Sequence, residues 1–80
     1  MENEKKLVGA FRQAFQVEDE PVIKGMAYRE HGWDSVAHML LMSILEDSFD
    51  IMIDIDDIID FNSYEKGKEI LGNEYEVQFA

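Results

Sequence analysis

The sequence predicts an all-α fold: a four-helix bundle of three longer helices and one short one, with a long loop crossing between the first and the second. Three observations predict it. Apolar residues near the start of the chain recur at spacings of three and four, as on one face of an amphipathic helix. A second segment, Val36 to Phe49, is rich in apolar residues, nearly free of helix breakers and preceded by the capping residues Asp34 and Ser35. The 80 residues are 46% hydrophobic and include no cysteine, so the expectation is one domain over 1–80 whose core forms without disulfide staples.

Helix one is predicted from Asn3 to Phe15, with Leu7, Val8, Phe11, Ala14 and Phe15 on its apolar face. Gly9 inside it costs about 1 kcal/mol relative to alanine, tolerable unless another helix packs closely there. From Gln16 to Trp33 no period holds, and Glu18, Asp19 and Glu20 followed by Pro21 stop any continuation of helix one. So long a connection needs its own apolar pins, for which Val22, Ile23, Met26, Tyr28 and Trp33 are available, with a short helical turn expected near Ile23 to Tyr28.

Helix two starts at Asp34 or Ser35 and runs to Phe49. Helix three is brief, Asp54 to about Asp60, because Ile55, Ile58 and Ile59 fall at helical spacing and Asp57 is placed to return a capping interaction to Asp54. Asn62 or Ser63 caps helix four, with Glu65 completing a capping box to Asn62, and Gly72-Asn73 supplies a left-handed stop after about Leu71. Residues 74–80 alternate as a strand does, but a lone strand has no partner, so this tail is expected to run from ordered to frayed.

Eighteen acidic residues against seven basic ones give a formal charge of -11. Lys5-Lys6 is the only adjacent basic pair, so nucleic acid and anionic lipid are poor partners, and proteins with basic docking surfaces are the better ones. The opening MENEKKLVGA lacks the pattern of a secretory signal, and the longest nearly apolar run, Met39 to Leu45, is far short of the roughly 18 residues that cross a bilayer. A soluble, cytoplasmic monomer is expected.

Chemistry concentrates where helix two begins. A serine there can carry a phosphodiester whose charge meets unpaired backbone N–H groups and the positive end of the helix dipole. It can equally be an ordinary cap. As a nucleophile Ser35 would need a positioned base, and His38, one turn away, has no third residue beside it to orient it. On a helical wheel His38 points with Leu45 and Phe49, which suits a satisfied structural histidine or a contact to a bound cargo. His31 lies in the loop and is assigned no role. The acids Asp50, Asp54, Asp56, Asp57 and Asp60 fit a calcium loop poorly: one starting at Asp54 has Ile59 where glycine is required and Ile58 at the fifth position, although Glu65 is well placed. No metal site is expected.

Gly32-Trp33-Asp34-Ser35-Val36 resembles the Gly-x-Asp-Ser-Leu attachment motif of acyl and peptidyl carrier proteins, with valine in place of leucine. The similarity continues without a gap through Met39, Leu41, Met42, Leu45, Glu46, Phe49, Ile53 and Tyr64. It covers roughly residues 30 to 71, while helix one and the long loop agree by length and pattern only. The resemblance implies that a phosphopantetheinyl transferase moves a 4'-phosphopantetheine arm from coenzyme A to Ser35. The arm's thiol then holds acyl intermediates as thioesters for acyl-loading, acyl-transfer or synthase enzymes of fatty acid or polyketide type, the chain itself doing no chemistry. Asp34 shapes the helix start and is positioned to meet the transferase.

The resemblance further implies a cargo space between helices two and three, for which His38, Met39, Met42, Ile53, Ile58 and Ile59 are candidate lining, although such residues equally fill cores. It also implies that Asp54, Asp56 and Asp57 meet basic groups on partner enzymes. Two departures stand out. Ala37 and Leu40 occupy positions where fatty-acid carriers usually have acids, and Lys68 stands where an apolar residue is common. Val36, Leu40 and Ile44 recur every four residues as a stripe that either is partly exposed for apolar docking, with Ile51 and Met52 extending it, or packs under the loop or helix one. An exposed stripe points to a specialised pathway. The alternative reading is an unmodified acidic helical domain that binds a basic or amphipathic protein.

Overall fold

A computed structural model describes residues 2–79. Five helices follow one another: α1 (Glu2–Phe15), α2 (Glu20–Lys24), α3 (Ser35–Phe49), α4 (Ile55–Asp60) and α5 (Tyr64–Glu74). The four predicted helices are α1, α3, α4 and α5. The fold is all-α among the described residues, with a single isolated bridge between Ala27 and Ser63.

The fifth helix corrects the four-helix expectation. Helix α1 ends at Phe15, where Gln16 turns left-handed at φ 57° with its N–H on the Arg12 carbonyl, and Pro21 instead sits in the first turn of α2, where its missing N–H has no helical acceptor and its fixed φ suits a helix start. The helical turn expected near Ile23 to Tyr28 therefore lies earlier and is closed at Gly25, whose N–H donates to the Val22 carbonyl at 3.1 Å. Ile23, Met26 and Trp33 are the buried pins of this connection.

The core lies between α1, α3 and α5. Leu7, Val8, Ala10 and Phe11 of α1 meet Leu41, Met42 and Leu45 of α3 and Ile70 and Leu71 of α5. Phe11 is its centre: the rings of Phe15, Trp33, Phe61 and Tyr64 stand 5.3–6.4 Å from it, centroid to centroid. Burying each such side chain stabilises by roughly 1.5–3 kcal/mol. Gly67 lets α5 approach, because a Cβ there would overlap the Phe61 ring.

Helix ends follow side-chain chemistry. Asp34 Oδ1 accepts from the Ala37 N–H at 2.9 Å and Ser63 Oγ from the Lys66 N–H at 3.0 Å. With Ser63 as the cap, the residue three positions on is Lys66, so the box expected between Asn62 and Glu65 does not form. Asp50 closes α3 in the left-handed conformation at φ 55°, its own N–H and that of Ile51 both donating to the Glu46 carbonyl.

One expectation at the end of the chain is overturned. Helix α5 runs through Gly72-Asn73 to Glu74, and the left-handed residue is Glu76, at φ 58°. In the tail, Tyr75, Val77 and Phe79 pack on the core, Val77 N–H donates to the Leu71 carbonyl at 3.1 Å, and Asn3 Nδ2 donates to the Gln78 carbonyl at 2.9 Å. The alternation seen in the sequence directs side chains inward without needing a partner strand. Ala80 lies outside the described residues.

Lys68, the residue found where an apolar one is common, reaches Glu4 of α1 at 3.0 Å. That hydrogen bond, helped by the charges of Lys68 and Lys24, holds the Glu4 carboxyl below its ordinary value of 4.5. No helix among the described residues is long and apolar enough to cross a membrane.

Candidate functional site

The loop before α3 is wound tightly and tied to the far side of the fold. Tyr28 N–H donates to the Asn62 carbonyl at 2.8 Å, and Tyr64 N–H to the Met26 carbonyl at 3.0 Å. Within the turn, Arg29 N–H reaches the Trp33 carbonyl, Trp33 N–H the Glu30 carbonyl, and Glu30 Oε1 accepts from Ala27 N–H. Arg29, His31 and Gly32 all have positive φ, at 84°, 53° and 81°. At Gly32 this is the conformation a residue without Cβ adopts freely, which gives the glycine of the Gly-x-Asp-Ser segment its physical reason.

The turn delivers Trp33 inward and Asp34-Ser35 outward. Because Asp34 makes the cap, Ser35 occupies the first turn of α3 with its side chain exposed, beside a cavity of about 290 Å³ between α3 and α4. Of the residues expected to line a cargo space, His38, Met39, Ile58 and Ile59 line this cavity. Met42 and Ile53 do not: both are buried in the core, at 2% and 7% exposure, Met42 on α3, which packs on α1, and Ile53 in the segment between α3 and α4. Tyr28, Phe61 and Asn62 complete the wall. The sequence offered Tyr28 only as a pin for the long loop and Asn62 only as a helix cap, and it gave no signal for Phe61.

His38 is buried and doubly engaged. Trp33 Nε1, which can only donate, lies 2.9 Å from Nδ1, so the proton is on Nε2, which donates to the Ile58 carbonyl at 2.7 Å. Trp33 and His38 stack at 5.9 Å, and the Tyr28 ring meets His38 edge-on at 5.8 Å. With both nitrogens committed, His38 is not placed to draw a proton from Ser35. It is the satisfied structural histidine, and it also forms part of the cavity wall.

The stripe on α3 is exposed at its start and half-buried at its end. Val36 is 79% and Leu40 49% exposed, whereas Ala37 and Ile44 are half-buried. Met52, Ile55 and Ile59 add further exposed apolar surface on α4 and the loop before it, while Ile51 is half-buried. Asp54 and Asp56 are exposed. Asp57 is half-buried, its Oδ2 accepts from the Tyr75 hydroxyl at 2.7 Å, and it returns no cap to Asp54, whose N–H donates to the same hydroxyl. Among the described residues no group of three or more His, Cys, Asp or Glu is arranged to hold a metal ion.

A scan against protein-family models gave no match, and comparisons with curated proteins and with solved structures likewise gave none.

Proposed function

We propose that this chain is an acyl carrier protein, with 4'-phosphopantetheine joined through a phosphodiester to Ser35. The observation that carries the reading is the exposed Ser35 hydroxyl in the first turn of a 15-residue helix, relieved of capping by Asp34 and adjoining an apolar cavity. A phosphate on that oxygen faces the remaining unpaired N–H groups and positive dipole end of α3, where the capping Asp34, engaged with the Ala37 N–H, is the neighbouring acid and the first turn itself holds none. A hydroxyl in the open is also what a phosphopantetheinyl transferase needs. Ser35 Oγ bonds to the phosphorus that carries the pantetheine, the pyrophosphate P–O bond of coenzyme A breaks, adenosine 3',5'-bisphosphate leaves with the electron pair, and the hydroxyl proton passes to a base that the transferase supplies.

When bound, the arm supplies a thiol that carries an acyl group as a thioester. The chain's own residues then do two things. Met39, Ile58, Ile59 and Phe61 offer an apolar shelter about twice the ~150 Å³ that holds one benzene ring, which suits a cargo of modest size. Val36 and Leu40 offer an apolar contact to acyl-loading, acyl-transfer or synthase enzymes, with Asp54 and Asp56 nearby as the acidic element. Docking of this kind depends more on apolar contact and less on electrostatic steering than docking of a fatty-acid carrier with acids along the same helix, which favours a specialised pathway.

The test is intact mass after incubation with coenzyme A, magnesium and a broad-specificity phosphopantetheinyl transferase. Wild type is expected to gain one arm and Ser35→Ala none, with the two proteins equally folded. A wild type that stays unmodified would leave the second reading, an unmodified acidic domain whose exposed Val36, Leu40 and Met52 bind a protein partner directly.

A further inference from the structure

We propose that Tyr75 is a positioning residue for the cavity beside Ser35: its hydroxyl pins the start of α4 and so fixes the wall that Ile58 and Ile59 contribute. Hydrophobic burial holds α4 only weakly. Of its six residues none is fully buried, Ile58 alone packs half-buried against the core, and Ile55 is 68% and Ile59 70% exposed; a helix this short is not stable by itself. Its cap residue Asp54 makes no side-chain bond to the helix. Polar ties at the two ends take over.

Toward its C-terminal end, the Ile58 carbonyl accepts from His38 Nε2 at 2.7 Å. At the N-terminal end, the Tyr75 hydroxyl accepts from the Asp54 N–H and donates to Asp57 Oδ2, each at 2.7 Å. One phenol thus serves a backbone donor and a carboxylate acceptor together, and the bond to the carboxylate belongs to the stronger, charge-assisted class. The phenol itself is well anchored. Tyr75 N–H donates to the carbonyl of fully buried Leu71 at 3.3 Å, and Val77 N–H bonds the same oxygen. Burial first, and then the hydrogen bond to Asp57, push the Tyr75 phenol up to about 12, so at neutral pH it keeps the proton this contact requires.

A tail residue 40 positions after Ser35 therefore sets how firmly the cavity is closed on its α4 side. Only the identity of what enters the cavity rests on the carrier reading. The positioning role can be tested on unmodified protein without any transferase, so its failure and a failure of Ser35 modification are separate results.

Native-state amide hydrogen exchange is the measurement. Tyr75→Phe keeps the ring and removes the hydroxyl, and the α4 amides, Ile58 included, are expected to exchange about tenfold faster while α1 and α3 amides change by less than about twofold. Asp57→Ala is expected to act in the same direction, and Asp57→Asn, which still accepts a hydrogen bond, to retain most of the protection. Methyl resonances of Ile59 and Met39 are expected to shift in Tyr75→Phe and Asp57→Ala. If α4 and core amides accelerate together, or if α4 does not respond to either loss variant, Tyr75 is not the positioning residue.

Discussion

Helix α1 buries Leu7, Val8, Ala10 and Phe11, whereas α4 buries none of its residues and is tied at both ends by hydrogen bonds. The two therefore answer to different forces. Apolar burial is cumulative and non-directional, so α1 separates from the core only when the whole molecule unfolds. A hydrogen bond contributes a net ~1 kcal/mol because water replaces what is lost, so α4 can open at a small fraction of the global cost. The cavity lies where these two regimes meet: α3 and Phe61 give it a fixed side and α4 a releasable one.

The largest expected effect strikes the fixed side. Gly67→Ala gains helix propensity but drives a methyl group into the buried Phe61 ring, and a net loss of about 1–3 kcal/mol in denaturant unfolding is expected. Unchanged stability would mean that the packing beneath the cavity is softer than its burial implies.

The next effect, about 1 kcal/mol, isolates the releasable side through pH. The Tyr75 phenol is raised from its ordinary 10.0 to about 12 in the folded protein. A raised value means that folding favours the neutral phenol, so its contribution is complete below pH 10 and is lost as pH rises through about 12. The stability difference between wild type and Tyr75→Phe should be constant up to pH 10 and shrink above it, the behaviour of every other group cancelling between the two proteins. A difference that stays flat to pH 12 would show that the hydroxyl's bonds do not govern α4.

The smallest effect has the opposite sign. No atom lies within 4 Å of where a Cβ on Gly9 would stand, so Gly9→Ala should stabilise by about 0.5–1 kcal/mol through helix propensity alone and leave α4 exchange rates unchanged. A loss of stability would reveal a close neighbour to α1 at that point.

What could be read in the sequence followed the same division. Helices α1 and α3 were visible because apolar periodicity and a capping aspartate are local signals, and Gly32 and Trp33 already marked the turn before Ser35. Helix α2 was misplaced because proline both ends a helix and begins one, and only tertiary packing of Ile23 chooses between them. Met39 and Met42 stand three residues apart on one helix, yet one lines the cavity and the other fills the core; the neighbouring helix decides, and the sequence does not name it. Asp57 looked like one of several surface acids. Its partner Tyr75 is 18 residues away in a segment whose alternation resembled a stray strand, so no local pattern connects the two. The ties of His38 to Trp33 and Ile58 were equally out of reach, although its burial was legible from the helical wheel.

The single tryptophan has a use beyond packing. The Trp33 indole donates to His38, whose opposite nitrogen holds the Ile58 carbonyl of α4, so the chromophore is two hydrogen bonds removed from the movable wall. Any event that lifts that wall must disturb the imidazole and, with it, the surroundings of the indole. Intrinsic emission therefore reports on opening of the cavity in the unlabelled protein, in real time.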